Sequence, residues 1–194
     1  MEDMHIHLKS GITDIRIMRK YLEKFKELNI DRVLFLDHGN RISPNHTPVL
    51  NDAETVKKFF ENIKIVRAEY PEIEINIGIE SDFSYDNDFK EKEFKILSSF
   101  PFDYIIGSVH GMGKAEYKDY LQANIDMLNT YPLNILGHLK LRKEYEKYKE
   151  MIEEIVKIAT EKNIKFDVNT SDRSRWNLQQ LEYMLDLFKK YGTK

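Results

Sequence analysis

Short apolar runs alternate along the chain with longer stretches in which apolar residues recur every three or four positions. The short runs predict strands and the longer stretches predict amphipathic helices. The predicted strands are residues 4–8, 31–37, 73–79, 102–109, 133–136 and 164–168. The predicted helices are residues 14–28, 52–70, 89–98, 115–129, 143–162 and 177–191. Six strand–helix units in strict alternation predict parallel strands with right-handed crossovers, in an open doubly wound sheet or in a barrel.

Local signals at the ends of these elements support the same assignment. Asn51 is the expected N-cap of the second helix, with Glu54 as its capping-box partner. Gly192 is the expected residue just after the last helix. The polar segment 39–50 is longer than an ordinary turn, and ordered segments of this length often carry function.

Composition narrows the class of protein. The chain has 194 residues, of which 41% are hydrophobic and 32% charged, so we expect a single domain over residues 1–194. The net charge of −3 argues against nucleic acid or an anionic membrane as the main partner. No apolar run opens the chain or approaches 18 residues, which predicts a soluble, cytoplasmic protein without a signal peptide. Because cysteine is absent, any metal ion must be held by nitrogen and oxygen ligands.

Two histidines lie in the first predicted strand. Side chains alternate between the faces of a strand, so His5 and His7 point the same way and Ile6 points the opposite way. Two imidazoles on one face of a strand can bind one metal ion. The alternative is a pair of surface histidines near the start of the chain.

Further polar residues follow the other predicted strands. They are His38 after strand two, Glu80 after strand three, His110 after strand four, His138 after strand five and residues 169–171 after strand six. A single histidine in such a position more often binds a carbonyl, but five of the six histidines lie at strand ends. In parallel α/β folds sites form at this end of the sheet, and only a barrel brings all its strand ends to one axis. The pattern therefore favours a barrel and a metal site of imidazole and carboxylate ligands, which suit Zn, Mn or Fe.

The segments HIH, LFLDHGNR, GIE, IIGSVHG, ILGHLKL and FDVNTS, in this order, resemble the polymerase and histidinol phosphatase (PHP) family. The GSVH and NTS segments are most similar to its histidinol-phosphate phosphatase branch, and the resemblance covers residues 4 to about 175. It implies a distorted seven-stranded (β/α) barrel, a centre of two or three metal ions, and hydrolysis of phosphate monoesters by metal-activated water.

The resemblance also implies roles for individual residues. His5, His7 and a bridging Glu80 would hold the first metal ion, and Glu80, His110 and His138 the second. His38 would belong to a third ion. Glu80 and His110 would act in catalysis through the metal-bound water.

Three arginines lie where a phosphate group would need cations. Arg41 follows strand two, and Arg173 and Arg175 follow strand six. Because a guanidinium group matches phosphate geometry, we expect these residues to bind the substrate. The alternative is that two of the three are solvated surface residues.

The chain departs from the family pattern at its end. The family adds a final strand ending in Asp-x-His, and the sequence has no second Asp-x-His beyond Asp3-Met4-His5 in its first strand. We therefore expect about six strand–helix units and about two metal ions per chain. We also expect the gap in the barrel to be closed by its flanking strands or by a second chain in a homodimer. Two alternatives remain open: another hydrolase of the same type, such as a protein-tyrosine phosphatase, a phosphodiesterase or an amidohydrolase, and a metal-binding remnant without catalysis.

Overall fold

The computed structural model describes residues 1–8, 11–40, 50–112, 115–168 and 176–193. Its contacts divide the chain into two compact units, an N-terminal unit, Met1–Ile105, and a C-terminal unit, Ile106–Lys194. Among the described residues, no helix has both the length and the apolar character needed to cross a membrane.

Strands and helices alternate through the described residues as the sequence predicts. The strands are β1 (Glu2–His7), β2 (Arg32–Leu36), β3 (Glu74–Asp82), β4 (Tyr104–Ser108), β5 (Ile135–Leu136) and β6 (Lys165–Phe166). The helices are α1 (Ile15–Glu27), α2 (Ala53–Glu69), α3 (Asn87–Ser99), α4 (Tyr117–Thr130), α5 (Lys149–Glu161) and α6 (Leu178–Tyr191). β2 pairs in parallel with β1 and β3, and β5 pairs in parallel with β4 and β6, which confirms the predicted parallel arrangement.

The core of the N-terminal unit lies between its strands and helices. One face of β1–β3 contributes alternate residues to this core, namely Ile6, Val33, Phe35, Ile75, Ile77 and Ile79. The apolar stripes of α1 and α2 pack against that face through Met18, Leu22, Phe25, Val56, Phe59, Ile63 and Val66. Because a strand has a period of two, the remaining positions of β1 and β3 face the other way, and these include the predicted ligands.

The C-terminal unit is built on α5, which packs against α4 and α6. Its buried face consists of Ile152, Ile155, Val156 and Ala159. The sequence predicted one helix over residues 143–162, which is wrong at its start. A 3₁₀ turn, Tyr145–Tyr148, precedes α5, and the backbone of Tyr148 leaves the helical region at φ −126°. Apolar spacing does not distinguish these two helix types over a few residues.

Helix ends agree with the sequence at α6 and differ at α2. Gly192 adopts the left-handed conformation at φ 70° and ends α6, as predicted. The N-cap of α2 is Asp52 and not Asn51, because the Asp52 carboxylate accepts the backbone N–H of Thr55 at 2.8 Å.

Strand bounds also differ from the prediction. β1 spans residues 2–7 instead of 4–8, and β5 and β6 have only two residues each. β3 does not stop at residue 79 but continues through Glu80 to Asp82. The extension has a cause in the backbone, since the N–H of Glu80 donates to Asp37 O at 2.9 Å and Glu80 O accepts the N–H of Gly39 at 3.0 Å.

Candidate metal centre

β1 presents its two histidines on one face, as alternation predicts. The Nε2 atoms of His5 and His7 lie 3.0 Å apart. Ile6, between them, is buried in the core on the opposite face. Both imidazoles are partly shielded from solvent, with 13% and 24% of their side-chain surfaces exposed.

Glu80 lies at the centre of the histidines of the N-terminal unit. Its side chain is fully buried, and Oε2 is 3.5 Å from Nε2 of His5, 3.1 Å from Nε2 of His7 and 3.2 Å from Nε2 of His38. One ligand atom from each of His7, His38 and Glu80 lies within 4.8 Å of the others. Two ligands at about 2.0–2.2 Å from one ion are at most slightly over 4 Å apart, so a small inward movement brings this donor set to a divalent ion. The residues present therefore fit a metal ion of the kind that the sequence implies.

Two aspartates lie behind the histidine rings. Oδ1 of Asp37 is 3.6 Å from Nδ1 of His7, and Oδ1 of Asp82 is 3.5 Å from Nδ1 of His38. The rings of His7 and His38 stack at 4.7 Å between centroids with 17° between their planes. Carboxylates on the second ring nitrogen orient histidines that bind metal ions and increase their basicity. In this arrangement Nε2 of each ring is directed toward Glu80.

The electrostatics of the cluster favour positive charge. Burial lowers the pKa of His7, but hydrogen bonds to Asp37 and Glu80 outweigh it, and the pKa lies above its ordinary value of 6.5. The same negative surroundings that favour a protonated imidazole favour a bound cation. The cluster is therefore suited to metal binding in charge as well as in geometry.

A buried carboxylate on α3 holds the backbone just after His38. Glu93 accepts the N–H of Asn40 at 2.9 Å and the Asn40 side-chain amide at 3.0 Å. A Cβ atom at Gly39 would lie 2.5 Å from Glu93 Oε1, so glycine is what allows this close approach. Burial raises the pKa of Glu93.

The C-terminal unit brings the other two predicted histidine ligands together. The rings of His110 and His138 lie 5.9 Å apart between centroids. Nδ1 of His138 is 3.2 Å from Oδ2 of Asp167, the same orienting arrangement as in the N-terminal unit. A cavity of about 270 Å³ opens beside His110, and the exposed Lys140 is one of its lining residues.

The structure describes the predicted metal ligands but not the predicted phosphate ligands. His5, His7, His38 and Glu80 form one cluster, and His110 and His138 form a pair; their division among individual ions stays a prediction. The three predicted substrate-binding arginines, Arg41, Arg173 and Arg175, lie outside the described residues.

The sequence alone did not indicate an orienting role for the aspartates that face the histidines. Two of them lie inside motifs quoted above, Asp37 in LFLDHGNR and Asp167 in FDVNTS. Asp82 follows Glu80 by two positions on the same strand, so its face was predictable once β3 was known to continue. Their pairing with particular ring nitrogens depends on tertiary contacts.

Comparison with known proteins gives a consistent result. The sequence model of the PHP domain family matches residues 3–171 of this chain. The histidinol-phosphatase of Lactococcus lactis subsp. lactis (strain IL1403) is 25% identical over 221 aligned positions, which cover 99% of this chain and 80% of that protein. A Deinococcus radiodurans protein assigned as a histidinol-phosphatase is 24% identical over 163 positions, covering 74% of this chain and 62% of that protein.

A solved structure extends the likeness to three dimensions. The crystal structure of hisK from Listeria monocytogenes, also assigned as a histidinol phosphatase, matches 100% of this chain and 92% of its own with a TM-score of 0.69. The two sequences are 14% identical, so this likeness concerns the fold. The predicted class, a parallel (β/α) fold of the PHP type with six strand–helix units among the described residues, is confirmed.

Proposed function

Since the chain belongs to the PHP domain family, whose model matches residues 3–171, we propose that it is a metal-dependent phosphoric monoester hydrolase of the histidinol-phosphatase type. One observation supports the chemistry most directly. A fully buried carboxylate, Glu80, lies within 3.5 Å of the Nε2 atoms of His5, His7 and His38. The proposed substrate is a small phosphomonoester, with histidinol phosphate as the first compound to test.

The residues of the N-terminal unit supply a preorganised set of donors. His5, His7 and His38 present Nε2 toward Glu80, and Asp37 and Asp82 lie near Nδ1 of His7 and His38, where a carboxylate can orient the ring. We propose Zn, Mn or Fe as the ion, because nitrogen and oxygen donors without thiolate suit these metals. Bound divalent ions lower the pKa of water and neutralise phosphate oxygens, so no protein nucleophile is needed.

The C-terminal unit is proposed to contribute further ligands and a cation. His110 and His138 would hold one more ion, giving about two per chain, with Asp167 orienting His138. Lys140 lines the cavity beside His110, where an ammonium group would attract phosphate oxygens. Arg41, Arg173 and Arg175 remain predicted phosphate ligands.

The test is hydrolysis of a substrate panel by the full chain before and after removal of metal. The panel contains histidinol phosphate, other small phosphomonoesters, a phosphotyrosyl peptide and a phosphodiester. We expect turnover of a small monoester, loss of turnover after dialysis against a chelator, and recovery on addition of Mn, Zn or Fe. Undiminished turnover after chelation would contradict the proposal. Preference for the diester or the peptide would favour the alternative hydrolases, and metal binding without turnover of any compound would favour a non-catalytic metal-binding protein.

A further inference from the structure

The loop that carries His138 is held by hydrogen bonds from side chains to its backbone. Residues 137–142 follow β5 without regular secondary structure, and we call them the His138 loop. Four successive carbonyls in it accept hydrogen bonds from side chains of α4, α6 and the segment before α6. These bonds are Tyr120 Oη to His138 O at 3.3 Å, Trp176 Nε1 to Leu139 O at 2.8 Å, Tyr117 Oη to Lys140 O at 3.0 Å, and Gln180 Nε2 to Leu141 O at 2.7 Å. Side chains thus supply to this backbone the bonds that a helix or sheet would otherwise supply.

His138 needs such support because its backbone is in an uncommon conformation. Its φ of 46° lies in the left-handed region, which residues with a Cβ atom rarely adopt. The residue before it, Gly137, passes so close to β4 that an added Cβ would lie 2.4 Å from Ser108 Oγ. Conformations of this kind persist where the surrounding structure fixes them, and they concentrate at functional sites.

Tyr120 is the side chain that bonds the backbone both at His138 itself and two residues later. Its hydroxyl donates to His138 O at 3.3 Å and accepts the N–H of Lys140 at 2.9 Å. Its side chain is buried, and the Arg142 guanidinium lies over its ring at 5.9 Å. One hydroxyl therefore spans the turn from His138 to Lys140.

The imidazole of His138 is held separately from its backbone. Nδ1 is 3.2 Å from Asp167 Oδ2, and the N–H of Asp167 donates to Leu136 O at 2.9 Å, which anchors the carboxylate beside β5. With the ring fixed at Nδ1 and the main chain fixed by Tyr120, the direction of Nε2 has little freedom.

We propose that Tyr120, assisted by Trp176, is a positioning residue that holds His138 in the left-handed conformation in which its Nε2 can bind a metal ion. This inference rests on the proposed function, in which His138 is a ligand. Tyr120 does not touch the metal or the substrate in this account, and it acts through the backbone of His138.

The chain offers a matched control in Tyr117, one turn earlier on α4. Its hydroxyl also donates to a carbonyl of the His138 loop, but to Lys140 O, and its ring stacks on that of Tyr120 at 6.1 Å. Tyr120→Phe and Tyr117→Phe each remove one buried hydroxyl from the same helix. Only Tyr120→Phe removes a hydrogen bond to the backbone of His138 itself.

The experiment titrates Co²⁺ into the chelator-treated full chain and follows the visible absorption of the bound ion and its affinity by competition with a chelator. We expect Tyr120→Phe to weaken binding of one Co²⁺ by about tenfold, the lower end of the effect of removing an outer-shell partner, and to shift its absorption band. Tyr117→Phe should keep the wild-type spectrum and an affinity within about twofold, although both variants lower the urea midpoint. Equal effects of the two variants on Co²⁺ binding would overturn the proposal.

Two further variants keep the result decisive. His138→Ala should lose one Co²⁺, and if it binds like the wild type, the assignment of His138 as a ligand fails together with the proposed role of Tyr120. If His138→Ala loses the ion and Tyr120→Phe behaves like Tyr117→Phe, only the positioning role fails. Should Tyr120→Phe not fold, Trp176→Phe decides, because it keeps an aromatic ring against Phe188 but loses the bond to Leu139 O. We expect it to weaken Co²⁺ binding severalfold, and unchanged binding would count against the proposal.

Discussion

Replacement of Glu80 by glutamine should separate metal binding from folding. The amide has nearly the shape of the carboxylate, so the variant keeps the packing of a fully buried side chain and removes its negative charge. In the wild type Oε2 lies within 3.5 Å of three imidazole nitrogens, those of His5, His7 and His38. The variant leaves these imidazoles without the anionic oxygen that they surround.

The expected magnitude follows from the position of Glu80 among the donors. Removal of a group that only orients a ligand typically lowers metal affinity by about 10- to 100-fold. Glu80 lies at the point where three donors converge, so its loss should reach at least the upper end of that range. A loss of about 100-fold corresponds to about 2.8 kcal/mol of binding free energy, at 1.4 kcal/mol for each factor of ten.

The assay is competition for Zn²⁺ or Mn²⁺ with a chromophoric chelator, with circular dichroism and urea denaturation as checks on folding. The chain offers a matched control in Glu74→Gln, the same substitution at the exposed start of the same strand. Glu74→Gln should bind metal like the wild type. Wild-type affinity in a folded Glu80→Gln variant would refute the placement of Glu80 at the centre of the site.

Two further predictions concern stability. Burial raises the pKa of Glu93 above 4.5, so above about pH 4.5 the folded chain retains a proton that the unfolded chain releases. The stability of the wild type relative to Glu93→Gln should therefore fall as pH rises from about 4.5 through the raised pKa. Urea midpoints of both chelator-treated proteins from about pH 4.5 to 7.5 test this, and parallel curves would contradict it. Asp52→Ala should lower the unfolding free energy by about 1 kcal/mol, because it removes the N-cap of α2. Asn51→Ala should lower it little. If urea denaturation gives the reverse order, Asn51 is the cap.

The order of strands and helices was predictable because it depends on local periodicity. The apolar faces of α1, α2 and α5 recur at helical spacing, and β1–β3 present apolar residues to the core. The bounds of β5 and β6 were not predictable in the same way. The predicted strands have four and five residues, but only two residues of each lie in the paired strand, and pairing with a neighbouring strand cannot be inferred from the sequence of one strand alone.

The cap of α2 shows a different kind of ambiguity. Asn51 and Asp52 are adjacent and both suit an N-cap, so residue type alone does not choose between them. The choice is made by which carboxyl or amide oxygen reaches a free N–H, and the Asp52 carboxylate reaches that of Thr55.

The candidate ligands were predictable to the extent that they follow strand order. His5 and His7 share a face because of strand alternation, and Glu80 could be recognised by its place after an apolar run. The orienting partners were not, since the contact between Asp167 and His138 joins residues from different strands. Tyr120 had no signal at all, because an aromatic residue on a helix stripe is usually part of the core.

The spacing of donors on β1 and β3 limits how the chain can change in length. β1 carries His5 and His7, and β3 carries Glu80 and Asp82, each pair separated by one residue of the opposite face. A one-residue insertion ahead of either pair within its strand would turn both donors toward the core and an apolar neighbour such as Ile6 toward the site. Insertions in the connecting segments leave the alternation intact. The segments between strands and helices can therefore gain residues, whereas β1 and β3 must keep their number of residues.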